Sequence, residues 1–339
     1  MARLKQLDGL RALAFLAVFL YAAFGLPLLW TGVDLFFVLS GYLITSILRQ
    51  QREVSGAWSK FYLRRALRIL PPYIVFLGIS WIVVRYDWKT LWYWFVFFSA
   101  NIRESFSSAD ISVLAPLWSL AVEEQFYLAW PFLVFKCSRK ALVRILAALV
   151  VSAALLRAAF TPIFSSFSPI YHLTPFRMDL LASGSLIAIL HEKKADSKNW
   201  RMGSIACLAA GLALFALSSI GPRFRTSDNS LIFNTFGYSL VGLIYSGLIA
   251  YLIELPQDSR VSRVLSSFPL RPLGVISYSC YLFHQLGLVV FHDRGIAGAL
   301  LALCLVVVFS AFSWIAYERR LIHFGRILTA VPTPLPVVL

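Results

Sequence analysis

Long apolar stretches alternate with short basic ones along this chain. Apolar segments run near 10–29, 33–48, 116–136, 141–160, 176–192, 202–220, 231–254, 272–291 and 297–317, most of them close to the ~20 residues a helix needs to cross a bilayer. The basic stretches 49–70, "KCSRKALVR", "HEKKADSKNWR", "RVSRVLSSFPLR" and "ERRLIHFGR" alternate with loops that carry far less positive charge. Placing all of them on the cytoplasmic side satisfies the positive-inside rule in one orientation. The stretch 71–100, "PPYIVFLGISWIVVRYDWKTLWYWFVFFSA", is the ambiguous one. Two short spans there would turn the Lys/Arg cluster of 136–144 outward. One span followed by an aromatic-rich interfacial or re-entrant piece near 88–100 is therefore expected. The pattern predicts an all-α, polytopic transmembrane helical bundle of about ten spans with both termini cytoplasmic. A single membrane-embedded domain over 1–339 is expected, with no internal repeat and no appended soluble domain.

Composition strengthens this picture. The chain is 59% hydrophobic and only 14% charged, with a mean hydropathy of +0.76, well outside the range of soluble domains. Its formal net charge of +15 does not call for nucleic acid, because the basic residues sit in inter-span loops. Their natural partners are anionic lipid headgroups or a phosphorylated substrate. Cys137, Cys207, Cys280 and Cys304 are scattered singly in or beside apolar segments, without disulfide or metal spacing, and no metal is expected. The start "MARLKQLDGLRAL" imitates a signal peptide, but Arg11 interrupts it and no small-residue cleavage site follows. It reads as a retained first span.

Charges at membrane depth are functional hypotheses by default, with helix–helix packing as the plain alternative. Span 1 carries Arg11 and span 2 carries Asp34 in "GVDLFFVLSGY". "PLWSLAVEEQFYLAWP" places Glu123 and Glu124 side by side, and "TPFRMDLLASG" adds Arg177 and Asp179. "ISYSCYLFHQ" supplies Ser277, Tyr278, Tyr281, His284 and Gln285, and Glu318 with Arg319 closes the last span. Adjacent glutamates point about 100° apart, so only one can face a given cavity squarely. Ser119, Glu123 and Tyr127 form one helical stripe, and Ser277, Tyr281 and His284 another. Each stripe alone is compatible with interhelical hydrogen bonding; together they point to a polar site inside the membrane. In "FYLRRALRILPPY", Arg64, Arg65 and Arg68 precede a helix-interrupting Pro-Pro pair. Arg64 and Arg68, four apart on a helix, would aim two guanidiniums one way, suited to phosphate or simply to fixing topology.

These residues carry a pattern. "LDGLRALAFLAVF", "GVDLFFVLSGYLIT", "FYLRRALRILPPY", "PLWSLAVEEQFYLAWP", "FRMDLLASG" and "LGVISYSCYLFHQ" resemble, in order and over nearly the whole chain, the motifs of the acyltransferase-3 family of integral membrane acyltransferases. The resemblance implies a ten-span fold in a bacterial inner membrane. It also implies an acyl-CoA donor, commonly acetyl-CoA, arriving from the cytoplasm, and transfer of the acyl group to a hydroxyl of a cell-envelope glycan or lipid-linked acceptor. By motif, Arg11, Arg64, Arg65, Arg68 and Tyr281 would serve the donor, Glu123, Glu124 and His284 the chemistry, and Asp34, Ser119, Arg177, Asp179, Ser277, Tyr278 and Gln285 the lining of the site.

One position departs from the family. The pattern is an arginine, ten residues, then the histidine held to be catalytic, and counting from Arg11 lands on Ala22. Eleven residues return to within about 20° of the starting direction after about 16 Å of rise, so the two positions share one helix face. An imidazole there could take a proton from the acceptor hydroxyl or carry the acyl group transiently; alanine does neither. The chain is thus expected to be impaired, through an introduced exchange of histidine for alanine, or as a natural pseudoenzyme or a member with a relocated base. Tyr21 points 100° away and is a poor substitute. His172 and His292 fall in outer loops and His191 and His323 in inner ones, where ordinary loop roles are expected. A transporter or flippase lined by the same polar groups, or a non-catalytic binding protein, are the rival readings. Acceptor choice would reside in the outer loops 101–115, 161–175 and 221–230; acyl length and oligomeric state leave no mark in the sequence.

Overall fold

A computed structural model describes residues 4–84, 86–107, 111–192, 196–219, 229–291 and 294–329; His292 and most of loop 221–230 lie outside these. Among the described residues all regular structure is helical. The long helices are α1 (Lys5–Phe24), α2 (Gly32–Gln50) and α3 (Ala57–Val83). Two short ones follow, α4 (Trp88–Val96) and α5 (Ala100–Phe106), then α6 (Leu117–Lys136) and α7 (Arg139–Phe160). After the single turn α8 (Ser168–His172) come α9 (Met178–His191), α10 (Ser197–Ser219) and α11 (Tyr238–Leu252). The remainder is α12 (Arg260–Leu265), α13 (Leu270–Val290), α14 (Gly295–Ser313) and α15 (Arg319–Leu328). Among the described residues, eight helices are long and apolar enough to cross a membrane. The shorter apolar α9 and the 20-residue α6 occupy the two other segments expected from the sequence. The chain is an all-α polytopic membrane protein.

Two boundaries differ from the sequence reading, each for a local reason. The first span ends at Phe24, not near 29, because Gly25 adopts a left-handed conformation (φ 64°) and its N–H closes on Tyr21 O at 2.8 Å; Pro27 then forbids resumption. Position 22 therefore lies in the last turn of α1. The basic stretch 49–70 is not all loop: α3 begins at Ala57 and runs unbroken through Pro71 and Pro72. Proline is tolerated inside membrane helices because neighbouring groups satisfy the carbonyls it frees. Beyond α3 the aromatic piece folds as α4, docked by the Tyr73 hydroxyl donating to Phe95 O at 2.9 Å.

Close backbone packing builds the core. A Cβ on Gly184 of α9 would sit 2.0 Å from Val38 O, and one on Gly41 of α2 would sit 2.0 Å from Leu181 O. The two helices thus touch backbone to backbone through facing glycines, as membrane helices do when dispersion and not the hydrophobic effect drives packing. Polar contacts gather the basic helix ends on one face: Arg49 pairs with Glu192 at 3.0 Å, Arg139 donates to Ile189 O at 3.1 Å, and His191 meets Glu254 at 2.6 Å. Gln6 donates to Leu252 O at 3.2 Å on the same face.

Candidate active site

Five helices converge on one polar cavity. Arg11 comes from α1; Val33, Phe36, Phe37 and Ser40 from α2; Arg65, Arg68 and Ile69 from α3; Ser119, Leu120, Glu123 and Tyr127 from α6; and Ser277, Tyr278 and Tyr281 from α13. It holds about 70 Å³, a narrow space between the side chains that line it. Val33, Phe36/Phe37 and Ser40 are spaced three and four apart, so α2 contributes one continuous face.

The polar groups are held in place by each other. Ser40 Oγ donates to Glu123 Oε1 at 2.6 Å, which fixes the carboxylate's rotamer. The Arg65 guanidinium lies over the Tyr127 ring, 4.2 Å from its centroid, a cation–π contact that orients both. Ser119 Oγ and the Tyr281 hydroxyl hydrogen-bond at 2.6 Å, joining α6 to α13. Tyr278 donates to Ile69 O at 3.1 Å, tying α13 to α3 just beyond Arg68. Arg11 Nε is buried and has no hydrogen-bond partner among the described residues. Three guanidiniums, one carboxylate and three phenols thus share a cavity in which the cations outnumber the anion.

The remaining expected residues lie elsewhere. Of the arginines, Arg65 and Arg68, three apart, reach the cavity; Arg64 turns back on its own helix, its Nε donating to Lys60 O at 3.3 Å, with its stem near Gly325 of α15. Glu124 is not among the lining residues, and its buried Oε1 has no partner among the described residues. His284 is buried behind Tyr281, its Nδ1 donating to Tyr281 O at 2.6 Å, and is not part of the lining; half-buried Gln285 is also outside it. Ala22 is half-buried in the last turn of α1, about 16 Å along the axis from Arg11 and outside the cavity wall.

Asp34, Arg177 and Asp179 belong to a second polar knot. Arg177 pairs with Asp34, both side chains wholly buried, and its guanidinium lies 4.4 Å from the Tyr238 ring and 5.0 Å from Tyr171. Arg157 donates to Asp179 Oδ2 at 2.7 Å, Ser239 Oγ at 2.6 Å and Asn234 O at 2.6 Å, and also to Phe176 O. This knot ties α2, α7, α9 and α11 together beside the cavity. Arg157 was missed in the sequence because, with Arg144, it sits in the apolar segment 141–160 without a neighbouring motif, and its partners lie 19 to 82 residues away. Ser40 was missed because a serine in an apolar run has no signal of its own, although its position on the Val33/Phe37 face could have exposed it. His172 is not an ordinary loop residue: its ring packs on Trp118 and Tyr171, at 4.8 and 5.0 Å between centroids. Burial lowers its pKa to about 4. Among the described residues no group of His, Cys, Asp and Glu is arranged to hold a metal ion.

This geometry can be set beside known proteins. The chain is 33% identical over 308 residues to a Bacillus subtilis protein provisionally named peptidoglycan O-acetyltransferase YrhL, covering 82% of this chain and 47% of that one. It is 31% identical over 309 residues to the peptidoglycan O-acetyltransferase OatA of Listeria monocytogenes, covering 82% and 48%. A Staphylococcus aureus protein provisionally named an O-acetyltransferase is 28% identical over 323 residues, covering 84% and 50%. The chain spans about half the length of the curated relatives it matches. No solved structure matches it. The profile of the acyltransferase domain matches residues 4–318, from the first turn of α1 to the end of the last span, so the chain belongs to the acyltransferase-3 family.

Proposed function

We propose that this protein is a membrane O-acyltransferase scaffold that binds acyl-CoA, commonly acetyl-CoA, from the cytoplasmic face of a bacterial inner membrane and serves a hydroxyl of an envelope glycan. Peptidoglycan, the acceptor in the relatives' names, is the first candidate acceptor. The observation that carries the reading is the cavity in which Arg11, Arg65 and Arg68 meet Glu123, Tyr127 and Tyr281. Guanidiniums grip phosphate oxygens bidentately, so the arginine-rich part is suited to the donor's phosphates. The phenols and carboxylate farther in are suited to the thioester and the incoming hydroxyl. Glu123, its Oε1 occupied by Ser40, is the carboxylate placed to accept a proton inside the cavity.

Position 22 limits what the scaffold does. A histidine there would stand one long donor's reach along α1 from Arg11; alanine at that position supplies neither an imidazole base nor an acyl carrier. The proposal is therefore binding of donor with transfer severely impaired. Two measurements test it in proteoliposomes: retention of labelled acetyl-CoA by the chain as it stands, and acyl transfer to peptidoglycan fragments after Ala22→His. Saturable donor binding that Arg65→Ala weakens, with transfer appearing only in Ala22→His, is the expected result. Absence of both binding and transfer overturns the enzyme reading, and movement of an intact solute across the bilayer would replace it with a transporter.

A further inference from the structure

A second cavity lies apart from the arginine-rich one, in the groove between α9, α10 and α11. It holds about 440 Å³, a size that ligand sites occupy. Its walls are Leu186, Leu190, Cys207, Leu243 and the bare backbones of Gly203 and Gly242. Two of the hydroxyls along it are turned back onto their own helices: Ser183 Oγ donates to Leu180 O at 2.9 Å and Ser204 Oγ to Trp200 O at 2.8 Å. Water would find few partners there, and an apolar cavity without partners stays dry. Ser246 differs, because its buried hydroxyl oxygen has no partner among the described residues.

What fills the groove follows from where it lies. It runs along α9 from Asp179 to Leu190, eleven residues or about 16 Å, which matches the roughly 15 Å depth of one leaflet's hydrocarbon. The outward face of α10, a span by length and composition, is exposed and apolar, with Met202, Ile205 and Leu212 59%, 51% and 52% exposed, so in a bilayer the medium at the groove's opening is hydrocarbon. At the end near Leu190, Asn199 and Trp200 line it, and exposed Lys198 and Arg201 flank them on the first turns of α10. The nearby Asp196 carboxylate is occupied in capping α10, accepting from the N–H groups of Lys198 at 3.0 Å and Asn199 at 3.3 Å. The groove is thus apolar over one leaflet's depth and basic at its headgroup end. Ser246 lies about 6 Å in from Ala250, a depth suited to an ester carbonyl.

We propose that this groove is a binding site for one anionic phospholipid of the leaflet that meets the basic helix ends. One acyl chain lies between α9, α10 and α11, and the phosphate lies at Lys198 and Arg201. The site does not depend on the acyltransferase reading. Gly203 provides the test, since a Cβ there meets nothing within 4 Å, so Gly203→Phe can plug the groove without displacing backbone. Gly78 of α3 is equally open and makes Gly78→Phe a matched control. The full chain is reconstituted in nanodiscs of mixed phosphatidylglycerol and phosphatidylcholine, and lipid retained after release into detergent is identified by native mass spectrometry. Retained phosphatidylglycerol in the parent and Gly78→Phe, its loss in Gly203→Phe, and loss of the headgroup preference in Lys198→Ala/Arg201→Ala are expected. Retention unchanged by Gly203→Phe, equal retention of phosphatidylcholine, an isoprenoid lipid retained instead when both are supplied, or labelling of Cys207 by a membrane-impermeant maleimide would each overturn it.

Discussion

Removing Arg157 tests whether the second knot holds the bundle together. Arg157→Leu preserves much of the side chain's bulk but deletes the donors to Asp179, Ser239, Asn234 O and Phe176 O. Asp179, only 3% exposed, would keep the Ser239 hydroxyl at 3.0 Å and the Leu180 N–H at 3.1 Å but lose its counter-charge. Breaking a buried pair from one side costs about 3–5 kcal/mol, because the surviving charge stays desolvated. The low end applies here, since two donors remain. A cost of about 3 kcal/mol raises the unfolding constant roughly a hundredfold. Taking both charges away removes the penalty at its source, so Arg157→Leu/Asp179→Leu should recover most of the loss. Reversible unfolding in mixed micelles, followed by tryptophan fluorescence, measures Arg157→Leu, Asp179→Leu and the double variant as a double-mutant cycle. A single variant within about 1 kcal/mol of the parent, or a double variant whose loss equals the sum of the singles, would refute the reasoning.

Four further outcomes follow from the geometry. Arg65→Ala and Arg68→Ala should each weaken acetyl-CoA binding about tenfold or more, the worth of a hydrogen bond to a charged group, whereas Arg64→Ala should change it little; calorimetric titration separates them. In the Ala22→His background, Glu123→Gln should lower the transfer rate about a hundredfold or more and Glu124→Gln far less, read from single-turnover kinetics. Gly184→Ala should prevent accumulation of folded protein in the membrane, because its Cβ would overlap Val38 O at 2.0 Å; normal yield by fluorescence-detected gel filtration would contradict the close α2–α9 contact. His172, lowered from 6.5 to about 4 by burial, binds its proton more readily in the unfolded chain. Stability from this residue is therefore full above about pH 6.5 and falls as pH drops toward 4, a slope that His172→Phe should remove from a pH series of thermal melts.

Fold class and most of the spans were legible in the residues alone. Apolar length and basic flanks are local properties, and a bilayer admits few ways to satisfy a backbone inside it. Motif order likewise pointed to the family, and the 100° step between Glu123 and Glu124 said that only one would face a cavity. What required the tertiary structure was which side of each helix meets which neighbour. Periodicity places Arg64 and Arg68 together, yet the packing of α15 on α3 takes Arg64 away and leaves Arg65 with Arg68. Asp34 and Arg177 look like cavity residues in isolation but neutralise each other across α2 and α9. Arg157 draws its partners from Phe176, Asp179, Asn234 and Ser239, distances of 19 to 82 residues that no local pattern encodes. The end of α1 shows both levels at once. Gly25 and Pro27 mark the stop in the sequence, but that Arg11 lines the cavity and Ala22 does not is read only from the packing of the five helices around it.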